Sequence, residues 1–291
     1  MSFKKILKEK RPTLSESSIT TYNSILTNLY KRVFKDKDLD YKDFDETYKV
    51  LDFLKEVPCN KRKTILSALV VISNEGAYRK IMLEDITENN HNTSKQQKNE
   101  KQVENSLTSN EIQDVYNILK EHANIIYKKK IYSIKDIQDI QDFVIVSLLG
   151  GMFIVPRRSL DYTEFKIKNV DKEKDNYLSG NELVYNKYKT SKFYNEQRLT
   201  CPKELKSILN KFIKINDTDY LLHDINGAKL TSVKLNQRLN RIFKKQASVN
   251  SLRHAYLSNK YASSIEENKN ISDDLSAMGS SMSQASTYIQ K

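Results

Sequence analysis

Residues 248 to 264 read SVNSLRHAYLSNKYASS, and residues 274 to 291 read DLSAMGSSMSQASTYIQK. The first stretch predicts an amphipathic helix that carries Arg253 and His254. His254 follows Arg253 directly and so stands about 100° round that helix, where it is expected to buttress the core. The second stretch predicts a small-residue turn at Gly279-Ser280-Ser281 and then a short segment ending in Tyr288. A tyrosine in that position means little by itself. Its meaning depends on two other segments.

One of these is GGMFIVPRRSLDYTEFKI, residues 150 to 167. A buried helix here runs into Pro156-Arg157-Arg158, which holds an arginine rigidly and leaves Asp161 able to pair with it. A lone Arg-Arg pair would ordinarily be a surface or interdomain salt bridge. The other segment is NELVYNKYKTSKFYNEQRLTCP, residues 181 to 202. Two strand-like arms flank a polar turn that carries Lys187, Lys189 and Lys192. Lysines on a hairpin tip can reach into a DNA groove, and one of them can donate a proton to a leaving oxygen. Taken alone, the segment is also a common solvated hairpin.

Charge points the same way. The 291 residues hold 49 Lys+Arg against 37 Asp+Glu, a formal net charge of +12. Residues 1 to 107 carry +4 and residues 108 to 291 carry +8. Within residues 184 to 245 there are 14 basic and 5 acidic residues, which reads as a binding face for a polyanion. Codon bias towards Lys, Asn and Ile would produce a similar total. Cys59 and Cys201 lie far apart and predict neither a disulfide framework nor a metal cage. They fit a reducing compartment. No apolar run predicts a membrane span or a secretory leader.

With six Gly and four Pro the chain is expected to be mainly α. Thr13 and Glu16 have capping-box spacing ahead of an apolar stripe from Ile19 to Tyr30. The charged segment KDKDLDYKDFDE interrupts it. Further helices are expected over Tyr48 to Lys55 and after Pro58. The turn after Pro58 holds Lys61, Arg62 and Lys63, read as a solvated cluster or a DNA-facing helix end. Residues 86 to 107 are polar with little periodicity and read as a linker. Thr108 and Glu111 repeat the capping-box spacing, and the helix after them is expected to bury Ile112, Val115, Tyr116, Ile118 and Leu119. A central helix is expected over about 137 to 152. Strand-like pieces follow at 164 to 170, 182 to 188 and 197 to 201, with helix again from about Thr231.

Taken together, the order Arg, hairpin Lys, LRH, Gly-Ser turn, Tyr resembles the tyrosine recombinase, or phage integrase, family over the whole chain. SLRHAYLS resembles that family's second arginine box most closely. PRRSLDY resembles the first, with Arg158 as the matching arginine and Asp161 three residues on. KTSK fits the hairpin lysine, hence Lys189, and MGSSMSQASTY fits the nucleophile segment. PRRSLDY is also similar to integrases of large DNA viruses and their mobile elements. Two positions depart from the pattern. Asn250 stands where the family usually has His or Lys, and Ser280 where it usually has His. Both can hydrogen-bond a phosphate oxygen, but neither exchanges a proton near neutrality.

The resemblance implies a two-domain DNA clamp, mainly α with a small antiparallel β-sheet. Residues 1 to 90 would be a helical DNA core-binding domain, 91 to 107 a linker, and 108 to 291 a mixed α/β catalytic domain. Tyr288 would be the nucleophile and Lys189 the general acid. Arg158 and Arg253 would be the phosphate clamp, assisted by Asn250 and Ser280. Lys61, Arg62, Lys63, Lys187 and Lys192 would touch DNA. The implied partners are double-stranded DNA and further copies of the chain, from dimer to tetramer, with no membrane partner. No metal or small-molecule cofactor is required, since the phosphotyrosyl link conserves bond energy. Only three residues follow Tyr288, which leaves the oligomer contact open. Two alternatives remain at this point: a type IB topoisomerase that relaxes supercoils as a monomer, and a DNA-binding relative with weakened catalysis.

Overall fold

The computed structural model describes residues 2–278, apart from 36, 74 and 95–99. The chain divides into two compact units, Met1–Lys98 and Asn99–Lys291, each with its own apolar core.

The first unit is helical: α1 (Lys4–Lys10), α2 (Glu16–Val33), α3 (Thr47–Leu54), α4 (Cys59–Ile72) and α5 (Gly76–Ser94). Its core gathers Leu26, Tyr30, Phe44, Leu66, Leu69 and Tyr78. Three sequence expectations change here. The cap of α2 is Ser15, whose hydroxyl accepts from the Ser18 amide, and not Thr13. The charged segment contributes to the core, because Phe44 is fully buried in a 3-10 turn and meets the Tyr30 ring edge-on at 5.6 Å. Helix α5 also continues through residue 94, into the segment read as a linker. Helix α1 had no counterpart in the sequence reading; Phe3 and Leu7, one turn apart, bury it.

The second unit comprises α6 (Glu100–Glu104), α7 (Ser109–Ile126), α8 (Ile134–Leu149), α9 (Ser159–Thr163), β1 (Phe165–Lys166), β2 (Asn176–Ser179), β3 (Glu182–Tyr185), α10 (Ser191–Tyr194), β4 (Gln197–Thr200), α11 (Lys203–Ile213), α12 (Ser232–Phe243) and α13 (Val249–Ala277). Thr108 and Glu111 form the capping box expected at the start of α7. That helix buries Ile112 and Tyr116 but leaves Ile118 exposed, because 118 falls on the face turned away from α8. Helix α8 is buried continuously from Ile140 to Leu149, as its all-round apolar sequence requires.

The sheet order is β1-β2-β3-β4. β2-β3 and β3-β4 are antiparallel, but β1 pairs with β2 in parallel, so the sheet is mixed and not antiparallel throughout. The chain turns between Asp171 and Asp175 before re-entering as β2, which brings Asn176 beside Phe165 in the same direction. Strand β2 and helix α11 were missed from sequence. The helix was legible in the spacing of Leu205, Ile208, Leu209 and Phe212, all buried. No helix among the described residues is long and apolar enough to cross a membrane.

Candidate active site

Pro156 ends the bends that follow α8, and Arg157 and Arg158 come next, directly before α9. The two arginines have different situations. Arg157 is nearly enclosed. Its Nε donates to Asp161 Oδ2 at 2.7 Å, its Nη1 donates to Gln197 Oε1 at 2.8 Å, and its guanidinium carbon lies 4.2 Å from the centre of the Tyr185 ring. Arg158 is the exposed N-cap residue of α9 and makes no side-chain cap bond. The ion pair that the sequence left open to either arginine is made by Arg157. Residue 157 is four positions before 161, which places the two side chains on one side of the α9 turn.

Asp161 is the centre of the cluster. Its side chain is 3% exposed, and Oδ1 has no hydrogen-bond partner among the described residues. Burial pushes its carboxyl above the ordinary carboxylate range, while the positive charges of Arg157, Arg158 and Arg253 all act to pull it back. The charges of three guanidinium groups, two from before α9 and one from α13, thus act on one buried carboxylate, which bonds to Arg157. Arg253 sits in the second turn of α13, and its Nη1 donates to Asn250 Oδ1 at 3.3 Å. The next turn of α13 is held against the end of α8 at Gly151, which has φ +79. A Cβ added there would meet the Tyr256 ring at 2.5 Å, so only glycine allows this approach.

His254 is exposed instead of buttressing the core; Leu252 and Ala255 supply the buried face. Lys189 lies exposed in the connection between β3 and β4, which also contains α10 and Lys192. Lys187 is paired with Glu164 at 2.8 Å, and Lys229 grips the same carboxylate at 2.5 Å. Burial would raise the Glu164 carboxyl, but these two lysines outweigh it and hold the group below its ordinary range. In the first unit Arg62 forks onto buried Asp85, with Nη2 to Oδ1 at 2.6 Å, while Lys61 is exposed and Lys63 half-buried. The Arg62 guanidinium is thus committed to holding α4 against α5 and is not free to face DNA. Ser280 and Tyr288 lie outside the described residues.

The basic surplus of residues 184 to 245 is partly cancelled in three dimensions. At least seven of its 14 cations pair with carboxylates, most of these from outside the stretch: Lys187 and Lys229 with Glu164, Arg198 with Glu182, Lys245 with Glu111, Arg238 and Arg241 with Asp142, and, within the stretch, Lys234 with Asp224. Lys189 and Lys192 remain exposed on the β3-β4 connection.

Two residues that the sequence reading passed over shape this connection. One is Arg157, overshadowed by its neighbour. The other is Asn176, fully buried at the start of β2. Its Nδ2 donates to the carbonyls of Asp161 and Lys187 at 2.9 and 2.8 Å, and its Oδ1 accepts from the amides of Asn186 and Lys187 at 2.9 and 2.7 Å. No local pattern marks such a residue, since its partners lie 10 to 15 positions away.

The chain is similar in structure to solved recombinases. One is XerA recombinase, at 14% identity over 88% of this chain and 83% of that one, with a TM-score of 0.37. Another is a lambda integrase (75-356) dimer bound to a COC' core site, at 15% identity over 90% of each chain, with a TM-score of 0.48. A third is lambda integrase (residues 75-356) bound to DNA, at 15% identity over 89% and 88%, with a TM-score of 0.46. No family model matches the chain, and no curated protein matches it.

Proposed function

We propose that this chain is a site-specific DNA recombinase that cuts and rejoins duplex DNA through a covalent link to Tyr288. The observation that supports this best is the seating of the Tyr256 ring of α13 on Gly151, which brings the helix of Arg253 against the segment that leads to Arg158. The charges of both arginines thereby reach buried Asp161, on the same unit as an exposed hairpin lysine. The arginines come from sites 95 residues apart in sequence, and the first of them is exposed and makes no side-chain hydrogen bond among the described residues. A carboxylate that attracts two forked cations without bonding to either leaves their donors able to grip the non-bridging oxygens of a phosphate.

The reaction then follows from the residue types. The Tyr288 hydroxyl releases its proton to solvent, since neither Asn250 nor Ser280 can take it, and its oxygen attacks phosphorus; a phosphotyrosyl bond forms and the bond from phosphorus to the 5′ oxygen breaks. Arg158 and Arg253 offset the charge that develops on the phosphate. Lys189 gives its proton to the leaving 5′ oxygen. Asn250 orients Arg253, and Ser280 supplies a further hydroxyl donor. Rejoining is the same path reversed, with a 5′ hydroxyl as the attacking group.

A nicked duplex that loses its short leaving strand after cleavage traps the covalent intermediate. The wild-type chain is expected to give a slow-migrating adduct on a denaturing gel, and Tyr288→Phe to bind the duplex without forming one. Relaxation of supercoiled plasmid without sequence preference would favour the topoisomerase reading. Binding without any adduct would favour a relative with weakened catalysis.

A further inference from the structure

The hairpin lysine sits on a connection of 11 residues, 186–196, long enough to leave its position undefined unless something fixes it. Both feet of that connection are fixed by one side chain. Arg157 donates through Nη1 to Gln197, the first residue of β4, at 2.8 Å. Its guanidinium stacks on Tyr185, the last residue of β3, and lies 5.2 Å from the ring centre of Tyr188, the residue before Lys189. Tyr188 in turn donates its hydroxyl to the Asn195 carbonyl at 2.7 Å, closing the connection across its middle. The other edge of Arg157 is anchored by Asp161. From these contacts we infer that Arg157 is a positioning residue that sets where Lys189 is presented, acting through Tyr188 and Gln197.

The inference rests on the recombinase reading for the role of Lys189, and it assigns to Arg157 a task different from that of Arg158. Two observations separate the neighbours. The Arg157 side chain is 15% exposed, with its Nε and Nη1 donors and its flat face occupied, so gripping a phosphate would require it to release the connection. Arg158 is exposed at the head of α9. Arg157 also ties the connection to the carboxylate on which the charges of Arg158 and Arg253 act, so the proton donor and the phosphate clamp share one reference point.

The test uses the full chain and a pool of nicked duplexes of randomised sequence. Duplexes recovered as covalent adducts of the wild type define a working site. That site is then made with either oxygen or sulfur at the bridging 5′ position of the cleaved phosphate. Sulfur leaves as a thiolate and needs no proton donor, so it removes the demand on Lys189. With oxygen, Lys189→Ala is expected to slow adduct formation about 100-fold or more, the usual range for a lost general acid. Arg157→Ala and the milder Gln197→Ala should slow it about tenfold or more, and sulfur should restore both to within a few-fold of the wild type. Arg158→Ala should stay slow on both substrates.

Trypsin gives a second readout without DNA. Arg157→Lys should open cleavage at Lys187, Lys189 or Lys192 while the remaining fragments stay resistant. An Arg157→Ala defect equal on oxygen and sulfur would overturn the inference and make Arg157 a phosphate clamp. Unchanged rates on oxygen would overturn it as well. Absence of any adduct from the wild type would instead overturn the recombinase reading, and with it any catalytic purpose for the tie.

Discussion

Arg253 and Asn250 are joined by a hydrogen bond of 3.3 Å across one turn of α13, with the arginine Nη1 donating to the amide oxygen. Asn250 therefore acts on the same guanidinium that the Asp161 charge attracts. A planar, permanently charged fork suits a phosphate better than a point charge does. Arg253→Ala is expected to lower the rate of adduct formation by about 100-fold or more, the range typical of a lost transition-state donor. Arg253→Lys should recover little of it. Asn250→Ala removes only an orienting contact and should cost about tenfold, a loss read as a lower rate at saturating DNA and not as weaker binding.

Lys187 and Lys189 are separated by one residue but should behave differently. Lys187 is held by Glu164, whereas Lys189 is exposed on the same connection. Lys189→Ala should abolish most cleavage with little change in melting temperature. Lys187→Ala should leave cleavage within a few-fold, since Lys229 still neutralises Glu164. Parallel rate and melting measurements on the two variants check this. Equal loss of cleavage in both would move the proton donor to Lys187.

Gly151 fixes the approach of α13 to α8. Alanine there would need a left-handed backbone, at about 1–2 kcal/mol, and would also drive its Cβ into the Tyr256 ring. Gly151→Ala is thus expected to destabilise the second unit by about 2 kcal/mol or more. Because Tyr256 follows Arg253 by less than one turn, the variant should also lose cleavage beyond what its unfolded fraction explains. Denaturant melts paired with single-turnover rates separate the two effects.

Acid sensitivity has an identifiable source at the start of α8. A hydrogen bond from Lys129, with further bonds from the Ser133 amide and hydroxyl, holds the Asp136 carboxyl at about 2 against its ordinary 3.8. A carboxylate held low in the folded state contributes stability that is complete above its ordinary value. That contribution is lost as pH falls through the lowered one. The wild type should therefore lose stability between pH 3.8 and about 2, and Asp136→Asn should lose less over that window while starting lower at neutral pH. Urea melts across that range measure both slopes. Identical slopes would contradict the assignment.

The sequence was most legible where chemistry or periodicity constrains neighbouring residues. The α8 core run, the Thr108 capping box and the helix carrying Arg253 are local patterns, and all are present. It was less legible where pairing is distant or where several local choices are equivalent. TLSES offers three hydroxyls to cap α2, and Ser15 takes the role expected of Thr13. Arg157 and Arg158 are identical side by side, and only the ring faces of Tyr185 and Tyr188 distinguish them. The basic stretch reads as a binding face because the carboxylates that meet it, among them Asp142 and Glu164, come from elsewhere in the chain. Arg62, expected at a DNA-facing helix end, is turned to Asp85 for the same reason.

The central claim is a bond between Tyr288 and DNA. It is tested most directly by trapping the adduct on a nicked duplex, digesting with protease and nuclease, and sequencing the nucleotide-bearing peptide by mass spectrometry. The expected result is a 3′-phosphonucleotide on Tyr288, with a free 5′ hydroxyl on the released strand. A nucleotide attached to any other residue, or cleavage that leaves no protein-bound nucleotide, would contradict the account.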